Sequence, residues 1–287
     1  MKIGLRIPGA GAQMPFDSFC RWCVDNGFEA VDVGTVTPQI AKTANDAGLV
    51  IGSADIQGVG DLLSVNKSKQ KKGAEAAKAS IQAAADNGVY IMFCVLVPED
   101  GSLGRVQNFE IWKAVFPPIV EFAESKGVTI ALEGWPGPPP HYPTLGCTPE
   151  MLRSMYAECP SPSLTLNYDP SHMIRMGVDY LRLLNEFASY VRHAHGKDTV
   201  FDPEAYYLHG NLGPTFYEPQ TFGEDWWRYC IPGEGLTDWP KVIKRLEDEG
   251  FDGIISVELE DIRYYDDWDA QADGLRRSRD HLAQYMR

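Results

Sequence analysis

The chain has 287 residues, of which 44% are hydrophobic and 23% are charged, enough to bury the core of one large α/β domain or two ordinary ones. Lys and Arg number 26 against 40 Asp and Glu, and the resulting net charge of −14 repels phosphate backbones and argues against a nucleic-acid partner. No apolar stretch reaches the ~20 residues of a membrane span, and the amino terminus enters a strand directly, so we expect a cytoplasmic, reduced protein with no membrane contact.

Eight short apolar runs rich in Val, Ile and Phe predict β-strands along the chain. The runs are residues 2–7, 28–34, 49–56, 89–97, 128–134, 164–169, 190–197 and 253–260. Segments with helical periodicity separate them. Four of these segments end in a glycine just before the next strand, as in DNGFEAV and SKGVTIA, which is typical of a helix terminus. Strands that alternate with helices predict parallel neighbours joined by crossovers.

Eight strand–helix units within 287 residues predict an α/β fold, a (β/α)8 TIM barrel that forms one domain over residues 1–287. The alternative is an open doubly wound sheet, which would normally carry a glycine-rich phosphate loop after its first strand. The sequence PGAGAQMP (8–15) stands there instead and does not match GxGxxG. We therefore predict the barrel.

Two long connections leave the predicted carboxyl ends of strands, the face on which TIM-barrel active sites lie. The first, 135–147, is proline-rich and cannot form a helix or a central strand. The second, 198–237, is a long aromatic-rich loop after strand 7, with the length of a lid or a binding loop. Alternatively, its aromatic side chains pack against the barrel or form the interface of a homo-oligomer. Its ring-bearing residues include Phe201, Tyr206, Tyr207, His209, Phe216, Tyr217, Phe222, Trp226, Trp227 and Tyr229.

Acidic and imidazole side chains stand at the ends of the last four predicted strands. Alone, each acidic residue is more often a helix cap or part of a surface ion pair, but neighbouring barrel strands bring their carboxyl ends together. Two glutamates, an aspartate and one neutral imidazole would offer three oxygens and one nitrogen, a set that suits Mn²⁺, Mg²⁺, Co²⁺ or Zn²⁺. Two histidines lie on one side of strand 7, of which only one need be a ligand, and the other could be a core residue. The residues concerned are Glu133, Asp169, His172, His193, His195, Lys197, Glu258 and Glu260.

Four segments together resemble a known family over the whole chain. They are IALEG (130–134), NYDPSH (167–172), RHAHGKD (192–198) and residues 233–261. In order and spacing they are similar to the xylose-isomerase-like TIM barrels, in the sugar phosphate isomerase/epimerase group. That group includes D-tagatose and D-psicose 3-epimerases, hydroxypyruvate isomerase and inosose dehydratase.

The resemblance implies a function and a set of site residues. It implies an isomerase or epimerase of a sugar, keto-sugar or sugar phosphate, with one divalent metal ion, Mn²⁺ being preferred over Mg²⁺, Co²⁺ or Zn²⁺. Removing a proton α to a carbonyl needs a base at the carbon and a cation that holds the enediolate oxygens. The implied ligands are Glu133, Asp169, His195 and Glu258; the catalytic acid–base pair is Glu133 and Glu258; and the predicted substrate contacts are His172, Lys197, His193 and Trp135.

The sequence departs from the epimerase pattern after its HxH motif. The epimerases resemble HxHxxExxR, whereas Gly196, Lys197, Asp198 and Thr199 follow here, without that arginine. A metal-dependent dehydratase or lyase acting on a keto-sugar or inosose is therefore the first alternative, since a leaving group β to the abstracted proton turns the same chemistry into elimination. A non-catalytic sugar-binding barrel or partner subunit is a further alternative, against which the two glutamates argue.

Two other kinds of metal site are disfavoured. A DNA-repair endonuclease on this barrel needs a trinuclear zinc cluster with many histidines, and three of the six present, His141, His209 and His281, do not fall at predicted strand ends. Cys20 and Cys23 form a CxxC pair. Because positions i and i+3 share one helix face and no second pair follows, we interpret these cysteines as packing residues.

Overall fold

The computed structural model describes residues 1–137, 142–219, 225–265 and 267–286. Its strands are β1 (Lys2–Arg6), β2 (Ala30–Val33), β3 (Val50–Asp55), β4 (Ile91–Cys94), β5 (Thr129–Glu133), β6 (Leu164–Tyr168), β7 (Val191–Gly196), β8 (Asp198–Phe201), β9 (Trp227–Cys230) and β10 (Ile254–Val257). All except β8 and β9 close into a parallel barrel, in which β1 pairs with both β2 and β10. Each barrel strand lies within a predicted run, so the predicted TIM barrel is confirmed.

Helices lie between successive barrel strands along the chain. They are α1 (Phe16–Asp25), α2 (Pro38–Ala47), α3 (Val59–Leu62), α4 (Lys67–Asp86), α5 (Arg105–Val115), α6 (Pro117–Ser125), α7 (Pro149–Glu158), α8 (Pro170–Met176), α9 (Tyr180–Phe187), α10 (Pro203–His209), α11 (Trp239–Asp248) and α12 (Trp268–Ala283). Short 3-10 turns lie at Gly11–Gln13, Ala188–Tyr190, Gly210–Leu212 and Ile262–Tyr264. Among the described residues, no helix is both long and apolar enough to cross a bilayer.

The predicted glycine signals mark the ends of helices. Gly27 follows α1 with φ +75° and Gly250 follows α11 with φ +80°, the left-handed conformation that closes a helix without a Cβ penalty. Cys20 and Cys23 of α1 are free, buried and part of the apolar core between the helix and the barrel. Their packing interpretation agrees with this position.

The connection predicted as an aromatic loop holds regular structure. β8 and β9 pair antiparallel, with Asp198 opposite Cys230 and Thr199 opposite Tyr229, and α10 follows β8. Aromatic side chains of this hairpin differ in exposure: Tyr229 is buried, whereas Phe216 is 96% exposed. Phe222, in 220–224, lies outside the described residues, as does His141 in 138–141. The lid and interface roles stay predictions.

Candidate metal centre and active site

Four side chains meet at the carboxyl ends of β5, β6, β7 and β10. Glu133, Asp169, His195 and Glu258 each offer one ligand atom, and these atoms all lie within 4.8 Å of one another. Glu133, Asp169 and His195 are buried, whereas Glu258 is slightly exposed. The four residues are the ones that the sequence resemblance implies as metal ligands.

Local structure explains why Asp169 stands at the end of a buried strand. Its Oδ1 accepts a hydrogen bond from the Ser171 amide at 2.8 Å and so caps α8, with Pro170 at the first helical position. Its Oδ2 faces the other way, into the cluster. Asp169 therefore combines the role of a helix cap with that of a candidate ligand.

The donor atoms fit a divalent cation. His195 Nδ1 lies 2.6 Å from Glu133 Oε2 and 3.2 Å from Glu258 Oε2, yet neither His195 ring nitrogen, nor Asp169 Oδ2, has a hydrogen bond of acceptable geometry. Close contacts of this kind, without hydrogen bonds, are expected of atoms arranged around one ion. Three carboxylate oxygens and an imidazole nitrogen suit Mn²⁺, Mg²⁺, Co²⁺ or Zn²⁺.

The two glutamates of the cluster are held in their ionised form. Burial raises the pKa of Glu133, but the adjacent His195 ring and a hydrogen bond from His172 outweigh burial and hold that pKa well below its usual range. Burial likewise raises the pKa of Glu258, and His195 and Lys197 lower it by more. Ionised carboxylates are the form that binds a cation and accepts a proton.

Lys197 inserts a positive charge beside the cluster. Its side chain is buried, and Nζ lies 3.2 Å from Asp169 Oδ2, 2.5 Å from Glu258 Oε2 and 2.7 Å from Glu260 Oε2. Burial lowers the pKa of Lys197, but the three carboxylates together raise it well above its ordinary value. The ammonium is therefore a fixed cation that offers its protons towards the site.

His172 completes the wall of the cluster. Its Nε2 lies 3.2 Å from Glu133 Oε1 and 3.3 Å from Asp169 Oδ2, while its Nδ1 lies 2.6 Å from the hydroxyl of Tyr229. The ring is buried among these groups. A substrate oxygen close to the candidate ligands would meet His172 and Lys197 on the same side.

Comparison with known proteins identifies the family. The profile described as Xylose isomerase-like TIM barrel matches residues 11–285. The chain belongs to this family. The family membership predicted from the four motifs is thereby confirmed.

Individual relatives of this xylose isomerase-like barrel are distant. Uncharacterized protein YfiH of Bacillus subtilis (strain 168) is 30% identical over 167 residues, 56% of this chain and 50% of that protein. Inosose dehydratase of Geobacillus thermodenitrificans (strain NG80-2) is 26% identical over 113 residues, 39% of this chain and 36% of that protein. The chain thus spans about half or less of the length of these two relatives. A solved structure titled D-tagatose 3-epimerase-like protein is 20% identical, with a TM-score of 0.69 over 99% of this chain and 97% of that chain, and shares the fold.

Within the family barrel, His193 precedes His195 by two residues and lies further from the carboxyl end of β7. Its Nδ1 is 2.7 Å from Asn167 Oδ1 and its Nε2 is 3.2 Å from Asp32 Oδ1, and the ring is fully buried. Asn167 in turn donates to Glu133 Oε2 at 2.7 Å. His193 is thus linked to Glu133 through Asn167, and the substrate contact predicted for His193 from the sequence stays a prediction. Trp135 is half-buried two residues beyond Glu133.

Arg6 is a site residue that the sequence reasoning missed. It ends β1, and its Nε lies 3.3 Å from Glu258 Oε1 while Nη2 lies 2.9 Å from Asp55. Its guanidinium stacks over the Phe93 ring at 4.5 Å. The first strand carries a signal for this residue, because an arginine that ends an apolar strand is costly to bury unpaired, whereas the predicted site consists of residues at the ends of the last four strands.

A cavity of about 740 Å³ opens beside the cluster, between the ends of β1 and β10. This volume is within the usual range for a small-molecule site. Its lining includes Arg6, Glu258, Glu260, Tyr265, Trp268 and Gln271. Glu258 therefore belongs both to the candidate metal centre and to the cavity wall.

Proposed function

We propose that the chain is a divalent-metal-dependent isomerase or epimerase that removes a proton α to the carbonyl of a keto sugar. The observation that carries the proposal is the pair Glu133 and Glu258, which both lie within 3.2 Å of His195 Nδ1 in one buried cluster. The sugar-processing names of the relatives and of the similar structures support a carbohydrate substrate.

The two glutamates have different access to a bound substrate. Glu258 lines the cavity, and its carboxylate is ionised, so it is the base placed to take the first proton from carbon. Glu133 lies behind it, held by Asn167 and His172. Epimerisation also requires delivery of a proton to the opposite face. Glu133, which is ionised before turnover, would deliver it after the proton taken by Glu258 has passed to it through the enediol oxygens of the substrate.

A divalent cation, of which Mn²⁺ is our first choice, would stabilise the negative charge that develops on the substrate oxygens. The chain itself adds a second positive charge at the same place, because the Lys197 ammonium adjoins Asp169 and Glu258. Lys197 and His172 would hold the carbonyl and hydroxyl oxygens. Trp135, two residues beyond Glu133, is proposed to pack against the sugar.

The charges of the cavity favour an unphosphorylated substrate. Among the described residues that line it, Arg6 is paired with Asp55 and Glu258. Glu260, paired with Lys197, and Asp267 add negative charge to the wall. A phosphate ester would have to compete with these carboxylates for the positively charged side chains Arg6 and Lys197. A neutral keto sugar or cyclitol would find hydrogen-bonding groups without that cost.

A dehydratase acting on a keto sugar or inosose is the second candidate, favoured by the similarity to inosose dehydratase. Glu258 would again take the α proton, the C–O bond to the β carbon would break, and the hydroxyl would leave as water after receiving a proton. Lys197 is the donor placed for that step, since its protons point into the cluster. A non-catalytic sugar-binding barrel is the remaining alternative.

Proton exchange measured by NMR tests the proposal. The full chain with Mn²⁺ is incubated in D₂O with ketoses, keto sugars and inososes, each beside its phosphate ester where one exists, and the metal is removed before spectra are recorded. We expect deuterium uptake α to the carbonyl of neutral substrates, reduced at least ~100-fold by Glu258→Gln. Glu75→Gln, a change on an exposed helix face, should leave the rate unchanged.

The outcomes of this experiment distinguish the candidate functions. The product spectrum separates epimerisation from loss of water. Faster exchange of the phosphate esters would contradict the neutral substrate class but keep the enolising site. No uptake from any substrate, in protein shown to hold the metal, would reject the catalytic proposal in favour of the non-catalytic barrel.

A further inference from the structure

A second cavity, of about 310 Å³, is lined by residues of α5, of the connection after β5, of α8 and of the segment that carries β8 and β9. Among the described residues, its lining shares nothing with the larger cavity beside β1 and β10, and it includes none of the four candidate metal ligands. The volume is at the lower end of the usual range for a small-molecule site. The wall includes Arg105, Tyr142, Arg175, Met176, Trp226 and Trp227.

The charges of the second cavity are of one sign. Its described lining residues include two arginines and no Asp or Glu. Arg105 Nε donates to the Tyr142 carbonyl at 3.2 Å, and Arg175 Nη1 donates to the Tyr229 hydroxyl at 3.1 Å, but within the described part of the chain neither guanidinium has a carboxylate partner. The chain as a whole has a net charge of −14. Two arginines that line one cavity without an acid therefore form a local positive site, which favours an anion.

Aromatic rings fix the position of Arg175. Its guanidinium carbon lies 4.1 Å from the centroid of the Trp227 ring and 5.9 Å from that of Tyr142, and the side chain is half-buried. These rings attract the cation but accept no strong hydrogen bond. A guanidinium has five N–H donors, of which the described contacts use one. The others keep the planar fork that binds a carboxylate or a phosphate in a bidentate manner.

Tyr142 adds an observation on the backbone of the same wall. With φ +45° it is the only non-glycine residue at positive φ in the described ranges. This conformation is costly for a residue with a Cβ, and such strain is often found at ligand clamps. At Tyr142 it accompanies two contacts, of the carbonyl with Arg105 and of the ring with Arg175. The connection after β5 is thus shaped around both arginines.

We propose that the second cavity binds a small organic anion, a carboxylate or phosphate monoester carried on a ring or another apolar group. Arg175 would bind the oxyanion, and Arg105, which is exposed, would add a second positive charge at the rim. Trp226, Trp227 and Met176 would contact the apolar part of the ligand. This binding site is a property of the folded chain and does not depend on the proposed function.

The site lies close to the candidate active site but is distinct from it. Arg175 donates to the Tyr229 hydroxyl, which lies 2.6 Å from His172 Nδ1. Tyr229 thus contacts both a residue of the second cavity and a proposed substrate-binding residue. The experiment must therefore show which of the two cavities an anion enters.

Titration calorimetry tests the ligand class. The full chain is freed of metal by dialysis, so that an anion cannot bind a metal ion, and is titrated with benzoate, phenyl phosphate, neutral benzyl alcohol and inorganic phosphate. We expect benzoate or phenyl phosphate to bind at one site, at least ~10-fold more tightly than benzyl alcohol, which lacks the charge-assisted hydrogen bonds. Inorganic phosphate, which lacks the apolar part, should also bind more weakly. The tighter of the two aromatic anions identifies the preferred oxyanion.

Nitrogen NMR of the tryptophan side chains locates the bound anion. The chain has seven tryptophans, and ¹⁵N-labelled tryptophan gives one indole signal for each. The signals of Trp226, Trp227 and Trp268 are assigned from those lost in the three Trp→Phe variants. We expect the tighter anion to shift Trp226 and Trp227 and to leave Trp268, which lines the larger cavity, in place. A shift of Trp268 alone would place the anion in the larger cavity and overturn the inference.

Arginine variants test the proposed contacts. Arg175→Met should lower the affinity for the anion about 10–100-fold, the loss expected for a charged hydrogen-bonding partner. Arg105→Met, at the exposed rim, should lower it about 2–5-fold, the range of an exposed ion pair, and keeps the test decisive if Arg175→Met does not fold. Two controls should keep the wild-type affinity: Arg21→Met, on an exposed face of α1, and Arg6→Met, in the larger cavity.

Three results would overturn the inference. They are the absence of binding by either aromatic anion, equal affinity for the anions and benzyl alcohol, and wild-type affinity in the folded arginine variants of the second cavity. All these measurements record binding to the metal-free protein. A failure of the proposed enolising activity would therefore leave them unaffected.

Discussion

The Lys197 ammonium lies 3.2 Å from Asp169 Oδ2, the carboxylate oxygen that faces the candidate metal centre. The same ammonium contacts Glu258, so two of the four proposed ligands already have a cation beside them. A buried cluster of three carboxylates would be strongly destabilised without such compensation. We therefore expect Lys197 to stabilise the metal-free protein and to share its carboxylates with an ion bound at the candidate centre.

Replacing Lys197 should separate stability from metal binding. Lys197→Met keeps much of the volume but leaves Asp169, Glu258 and Glu260 buried without their cation. We expect the metal-free variant to lose about 3–5 kcal/mol of unfolding free energy and to gain more stability from Mg²⁺ than wild type gains, because the ligand oxygens no longer share their charge. Urea unfolding with EDTA and with Mg²⁺ measures both effects. Lys244→Met, on an exposed helix face, is the control, and an equal gain from Mg²⁺ in both variants would contradict this account.

Asp169→Asn should remove the metal without unfolding α8. Asparagine caps a helix as well as aspartate does, so the bond from the Ser171 amide survives, while the charged ligand oxygen is lost. We expect metal affinity to fall by more than the 10–100-fold typical of residues outside a ligand set, with α-proton exchange abolished. Titration calorimetry with Mn²⁺ and circular dichroism measure the two properties. Retained affinity with lost helix content would show that Asp169 serves only as the cap.

The sequence predicts those candidate ligands that stand at the end of a single predicted strand. Glu133, Asp169 and Glu258 end or follow apolar runs, and the parallel order of the strands dictates that such ends meet at one face. The closure of β1 against β10 placed Arg6 beside Glu258. The sequence shows an arginine at the end of the first strand. Its contact with Glu258 forms only because the barrel closes, so the first strand alone does not predict it.

Other features depend on packing that no local pattern encodes. His193 and His195 share one side of β7, and no local pattern shows that His195 lies beside Glu133 and Glu258 while His193 pairs with Asp32 and Asn167. Tyr229 reaches His172 because Thr199 pairs with Tyr229 across the hairpin. The sequence predicted a loop there because a register between distant short strands leaves no periodicity to read.

The CxxC pair should behave as packing residues. Burial raises the pKa of Cys20 to about 11 and raises that of Cys23 further, so both are neutral thiols at pH 8 and react poorly. We expect all six cysteines to resist alkylation in the native protein and to react at once in denaturant. Cys20→Ala should leave the bound-metal content, measured by mass spectrometry, unchanged. Rapid labelling of Cys20 in native protein, or loss of zinc in Cys20→Ala, would contradict the packing interpretation.

Asp32 should contribute stability that depends on pH. It is fully buried, and although burial raises its pKa, the charges and hydrogen bonds of His193, His195 and Ser256 hold the pKa below its ordinary value. A carboxyl with a lowered pKa in the folded state stabilises the protein above the unfolded pKa, near 3.9, and this contribution is lost as pH falls through the folded pKa. Asp32→Asn should therefore lower the free energy of unfolding by about 1–3 kcal/mol near neutral pH. This difference in unfolding free energy from wild type should shrink below about pH 4.

Urea unfolding in EDTA across this pH range measures that difference. Asp46→Asn, in an exposed pair with Lys42, is the matched control and should stay close to wild type throughout. Arg6 also raises the stability of the ionised Asp32, since their residues pair across β1 and β2, so Arg6→Met should reduce the pH-dependent part of the effect. If the difference in unfolding free energy between Asp32→Asn and wild type stayed constant, or grew in acid, the neighbours of Asp32 would not stabilise its ionised carboxylate.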